Sequence, residues 1–159
     1  MFHPGMRAYF VPLVAGLALE ISIFLPWVVV GDESLSGFPD TAALWVAGLG
    51  VVAVVLAVLS LITRKNSRHP LLIVGLAALG IMSLSWRIMP ATIALRALTR
   101  QQATAIVEDR PMGDPPKAVA GSGIYLALTA STVIVGFGLT IVVRRGSTPY
   151  TLADPNDDV

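Results

Sequence analysis

Cysteine is absent from this 159-residue chain, which excludes disulfides, thiolate nucleophiles and thiolate metal sites. Charge is scarce: Asp, Glu, Lys and Arg make up 13% of the residues, against about 25% in a soluble domain. Histidine is limited to His3 and His69, each isolated at a polar boundary, so the spacing of a metal-ligand set is missing. No Gly-rich phosphate loop precedes a helix, because Gly121 and Gly123 merely open an apolar run. Nucleic-acid binding lacks support as well, since the basic cluster around Arg64 is short and has a topological explanation. With no complete catalytic, metal or nucleotide motif, the chain reads as non-catalytic, without cofactor.

What fills the chain is apolar: 55% of residues are hydrophobic and the mean hydropathy is +0.76. Four runs carry this excess, Ala8 to Val30, Thr41 to Thr63, Pro70 to Met89 and Ala118 to Val143. Each is long enough to cross a hydrocarbon core of about 30 Å as a helix of roughly 20 residues. The expectation is an all-α membrane protein, a single four-helix transmembrane domain over residues 1–147. A flexible cytoplasmic tail over 148–159 follows, acidic through Asp154, Asp157 and Asp158.

Basic residues set the orientation. Arg7, the connection Arg64-Lys65-Asn66-Ser67-Arg68-His69 and the pair Arg144-Arg145 flank the spans on one side, while Gly31 to Asp40 has no Lys or Arg. The positive-inside rule puts both termini in the cytoplasm of a multi-pass membrane protein. The excess of Arg over Lys in a chain rich in Ala, Val, Leu and Gly is the composition expected of a GC-rich bacterial genome, hence a bacterial inner membrane. Arg96 to Lys117, an outer loop of mixed charge, votes weakly. Trp27, Trp45, Trp86 and Tyr125 all fall at the outer ends of spans, as an interfacial aromatic belt requires. A cleaved signal peptide is the rival for the N-terminus, but the apolar stretch continues past Glu20 and no small-x-small site follows, so the first span reads as uncleaved.

Glu20 and Arg87 are the ionisable residues within or against the spans. A carboxylate near mid-membrane must face the bundle interior, pair with a cation or hold a proton. Glu20 and Arg87 lie on parallel helices at depths differing by about 7 to 8 Å, and an ion pair between them is expected. The alternatives are that Arg87 snorkels to the headgroups and that Glu20 bonds a hydroxyl such as Ser83, Ser85, Thr129 or Ser131. Thr132, Gly136 and Thr140 recur every four residues and form a small-residue helix-packing face; Ala53 and Ala57 form a shorter one. Whether these pack inside the bundle or against another protein stays open.

Pro90 is expected to end or kink the third helix. Ala91 to Val107 then reads as a separate short amphipathic helix in the outer loop, with Arg96 and Arg100 one turn apart on its polar side. The turn-rich Glu108 to Pro116 follows. The loop serves either as a spacer or as a docking surface for an extracytoplasmic partner.

Two resemblances add to this. Leu25-Pro26-Trp27-Val28, Gly31, Leu35-Ser36-Gly37, then Gly121-Ser122-Gly123-Ile124-Tyr125-Leu126-Ala127-Leu128 and the closing Arg144-Arg145, resemble the small four-span membrane proteins of actinobacteria. The tryptophan-associated membrane proteins are one such group. That resemblance implies an accessory subunit of a larger integral membrane complex surrounded by membrane lipids, with an Mce-type lipid importer as the specific expectation and a respiratory supercomplex as the alternative. Separately, Ala15-Gly16-Leu17-Ala18-Leu19-Glu20-Ile21 is similar to the first helix of small multidrug-resistance transporters. This likeness implies Glu20 as a proton-coupling carboxylate, although the Gly-x-Ala-Tyr-Ala-x-Trp pattern of that family's third helix is missing.

Overall fold

A computed structural model of the chain describes residues 8–63, 67–109, 111 and 113–146, with side chains described through 140. The tail, Arg7, Arg64, Lys65 and Arg110 lie outside the described residues, as do the side chains of Arg144 and Arg145. The elements in order are α1 (Phe10–Ser22), β1 (Pro26–Val30), β2 (Glu33–Ser36), α2 (Thr41–Thr63), α3 (Arg68–Glu108), β3 (Ala118–Ala120) and α4 (Ser122–Gly146). Three helices, α2, α3 and α4, are long and apolar enough to cross a membrane; α1 is apolar but has 13 residues.

The first run is therefore not one helix from Ala8 to Val30. Ser22 turns its hydroxyl back onto the Leu19 carbonyl at 2.6 Å, and α1 ends there. Pro26 disfavours helical geometry at Leu25, and the β-branched Val28-Val29-Val30 packs well on a pleated surface. The chain leaves the helix as β1, turns through Gly31-Asp32 with Gly31 at φ 58, and returns as β2 with Val30 opposite Glu33 and Val28 opposite Leu35. A positive φ at the first turn residue is what a two-residue hairpin loop demands. β3 pairs antiparallel with the other edge of β1, Val28 opposite Ala120, giving the sheet order β2-β1-β3. The expectation of an all-α chain is corrected accordingly: the protein is mostly helical, with a small sheet at one end of the bundle.

Pro90 does not end α3. The helix runs through it as a single element of 41 residues, about 62 Å long. Proline removes one backbone donor and crowds the preceding turn, but the flanking Ala91, Ala94, Leu95, Arg96, Ala97 and Leu98 are strong helix formers that carry the pattern onward. α3 stops only at Asp109, in the left-handed region at φ 48 with its N–H on the Ala105 carbonyl. The separate amphipathic helix expected over Ala91 to Val107 is thus the second half of α3. Its buried positions, Leu71, Val74, Gly75, Ala78, Met82 and Ser85, all precede Pro90, so the second half rises beyond the packed bundle.

α1 packs against α2 and α4, and α3 packs against α2 and, most extensively, α4, leaving α1 and α3 on a diagonal. Small residues make the seams close. On α2 the buried positions Ala43, Val46, Gly50, Ala53, Ala57 and Ser60 recur at alternating intervals of three and four, the spacing of a tight interhelical seam. On α4 a Cβ at Gly138 would lie 2.6 Å from the Leu72 Cβ and 2.7 Å from its Cα, so only glycine lets α3 and α4 approach there. At the end opposite the sheet, the Tyr9 ring meets Phe137 edge-on at 5.1 Å, the Tyr9 hydroxyl accepts from the Ser67 N–H at 3.2 Å, and the Arg68 guanidinium lies 5.5 Å from the Phe137 ring centre. These contacts fasten the start of α1 to the α2–α3 connection.

Candidate functional site

Trp27 is the anchor of the sheet end. It is 0% exposed, and its indole Nε1 donates to the Ser22 carbonyl at 2.8 Å. Gly37 and Gly123 lie so close that a Cβ at either would fall 2.5 Å and 2.6 Å from the indole ring. The Gly121 N–H donates to the Trp27 carbonyl at 2.7 Å. The short motifs scattered through the sequence at Pro26-Trp27, Gly37 and Gly121 to Gly123 thereby converge on one packed unit joining α1, the hairpin and the start of α4. Trp27 is a core residue rather than a member of an interfacial belt, which corrects the sequence reading. Trp45, Trp86 and Tyr125 are exposed toward the sheet ends of α2, α3 and α4.

The Glu20–Arg87 pair is not formed. Glu20, on α1, faces α2 and rests on Gly50; its Oε1 is buried with no well-aligned hydrogen bond among the described residues, and the Val51 backbone is the polar group its carboxylate meets. Arg87 is exposed on α3, diagonally across the bundle. The two residues were expected to pair from parallel helices at comparable depth; the helices that carry them are not neighbours, and a similar depth does not bring them together. The serines offered as alternatives for Glu20 are engaged otherwise or elsewhere: Ser131 Oγ donates to the Ala127 carbonyl at 2.7 Å.

Thr132, Gly136 and Thr140 form a face, but it points away from the bundle. All three are exposed, and a Cβ at Gly136 would meet nothing within 4 Å. Thr132 and Thr140 return their hydroxyls to the carbonyls of Leu128 and Phe137, both at 2.7 Å, so the stripe presents no unsatisfied donor. Ala53 and Ala57 are the reverse case, fully buried in the internal seam. Beside the α4 stripe, Val11, Val14 and Ala18 of α1 face Leu126, Thr129 and Val133 across an open groove of about 500 Å³ that is wholly apolar.

A second groove, of about 400 Å³, lies at the sheet end. One wall is α3 from Met89 to Arg100, contributing Ile93, Arg96 and Ala97; the other is the hairpin and the loop to α2, contributing Glu33, Leu35 and Asp40. Asp40 Oδ1 accepts from the Ala42 N–H at 2.8 Å and so caps α2, which fixes that wall. Sequence reasoning found the two arginines but not the wall they face, because a hairpin had to place residues 33–40 beside residues 89–100. The Gly31-Asp32 pair between two β-rich stretches was the available signal.

Among the described residues no cluster of three or more His, Asp or Glu side chains is placed to hold a metal. No family model, curated protein or solved structure matches the chain.

Proposed function

We propose that the chain is a non-catalytic accessory or stabilising subunit of a larger complex in a bacterial inner membrane, crossing it four times with both termini in the cytoplasm. The observation that carries this reading is the outward stripe of Thr132, Gly136 and Thr140. A glycine in an exposed helix interior costs about 1 kcal/mol relative to alanine, and at Gly136 no contact among the described residues requires it. A partner helix approaching closely would supply the reason. The second half of α3 adds exposed apolar residues beyond the bundle, Leu95, Ile106 and Val107, the last two more than 80% exposed; it supports a partner contact on the extracytoplasmic side. An Mce-type lipid importer is the specific complex proposed, with a respiratory supercomplex as the alternative. Mass spectrometry of what copurifies with a tagged copy in mild detergent tests the reading. Stoichiometric recovery with a large assembly, lost on Gly136→Leu, is expected; recovery of the chain alone would overturn it.

A second reading, a small proton-coupled multidrug transporter, draws on Glu20, whose Oε1 is buried with no well-aligned hydrogen bond among the described residues. It requires that Glu20→Gln abolish proton-coupled flux in vesicles while leaving the folded bundle intact.

A further inference from the structure

The groove at the sheet end holds charges of both signs that do not meet. Arg96 and Arg100 stand one turn apart on α3, and Glu33 and Asp40 stand on the facing wall. Among the described residues no hydrogen bond or ion pair engages the side chains of Arg96, Arg100 or Glu33, and Asp40 has given one oxygen to the cap of α2. The two walls belong to different elements, a helix and an anchored hairpin, so the opposite charges are held apart rather than collapsed on each other. Between them Leu35 and Met89 line the groove with apolar surface.

The position matters as much as the charge. Met89 closes the apolar part of α3, and Arg96 stands seven residues further along, about 10 Å higher. The headgroup layer extends roughly 5 to 7 Å beyond the hydrocarbon on each side. Arg100 stands one turn above Arg96, about 16 Å past Met89. Side chains on a helix tilt toward its N-terminus, which for α3 is back toward the membrane, so Arg96 is the residue nearer the headgroup layer and Arg100 closes the groove above it. Two guanidinium groups can grip a phosphate through paired N–H donors. A phosphate alone would be repelled by the carboxylates opposite, whereas a primary ammonium donates three hydrogen bonds to them. A trimethylated ammonium has no N–H to give.

We propose that this groove binds the headgroup of a phosphoethanolamine lipid, the phosphate diester on Arg96 and Arg100, the ammonium on Glu33 and Asp40, and the acyl chains leaving past Leu35 and Met89. Its volume of about 400 Å³ is within the range of small-ligand sites. The inference stands apart from the subunit reading and rests only on the helices crossing a bilayer.

The test titrates the purified full-length chain in detergent with dihexanoyl-phosphatidylethanolamine, dihexanoyl-phosphatidylglycerol and tail-free phosphoethanolamine, read by microscale thermophoresis. The ethanolamine lipid should bind about tenfold tighter than either of the others, a difference of about 1.4 kcal/mol. Arg96→Gln with Arg100→Gln should weaken it by about tenfold or more. Glu33→Gln with Asp40→Asn, which keeps a capping side chain ahead of α2, should erase its preference over the glycerol lipid. Equal binding of the two lipids by the unaltered chain overturns the proposal without reference to any variant, as does binding insensitive to the arginine changes. Tail-free phosphoethanolamine binding as tightly as the lipid would make the ligand a free headgroup and overturn the lipid assignment.

Discussion

Gly136 and Gly138 are two residues apart on α4, identical in chemistry and opposite in circumstance. At Gly138 any side chain runs into the backbone of Leu72; at Gly136 it meets open space. Trp27 and Trp45 differ in the same way, one 0% exposed and wrapped by glycines, the other 65% exposed on α2. Residue type states what a position can tolerate. The neighbour supplied by the fold decides whether that tolerance is used.

The two tryptophans should respond most unequally to truncation. Trp27→Ala empties a fully enclosed site and should cost about 3 to 5 kcal/mol, whereas Trp45→Ala should change stability by about 0.5 kcal/mol or less; thermal unfolding in detergent, followed by loss of the monodisperse peak, reads both. Equal effects would mean that Trp27 is not the anchor of the sheet end. Next comes Gly138→Leu, which overpacks the α3–α4 seam and should destabilise by about 1 to 3 kcal/mol or more. Gly136→Leu should leave stability unchanged or slightly raised, because an exposed helix interior gains about 1 kcal/mol when glycine is replaced by a better helix former. If both leucines destabilise alike, the stripe is internal and the proposed docking face disappears.

Arg87, exposed on α3, should matter least. Arg87→Ala should shift unfolding by no more than about 0.5 kcal/mol, and combining it with Glu20→Gln should give the sum of the two single effects, as independent sites do. A coupling well above that sum in a double-mutant cycle would restore the ion pair across the diagonal.

The three long spans were legible in the sequence because length and hydropathy suffice to identify them. Residues 23–30 were not, since an uninterrupted apolar run does not distinguish a buried strand from a helix; the β-branched triplet and the Gly31-Asp32 turn were the discriminating marks. Pro90 misled in the other direction: a local helix breaker was outweighed by the alanines and leucines around it. For the candidate site, one wall was readable, Arg96 and Arg100 being four apart on a helix. The facing wall depends on strand pairing between distant segments, and hydropathy contains no record of it. The Glu20–Arg87 pairing failed for a related reason, because matching depth along parallel helices leaves open which helices are neighbours.

The continuity of α3 makes the part within the apolar bundle and the wall of the groove one mechanical body. The helix runs 19 residues past Met89, about 28 Å, so a tilt of about 10° pivoting there would swing its tip by about 5 Å. Helices meet a thinner or thicker bilayer by tilting, and the hairpin wall is tied to α1 and α4 through Trp27 rather than carried on α3. Bilayer thickness would then set the width of the groove, a dependence that spin labels on Ile106 and Ser34 would read as a distance changing with acyl-chain length.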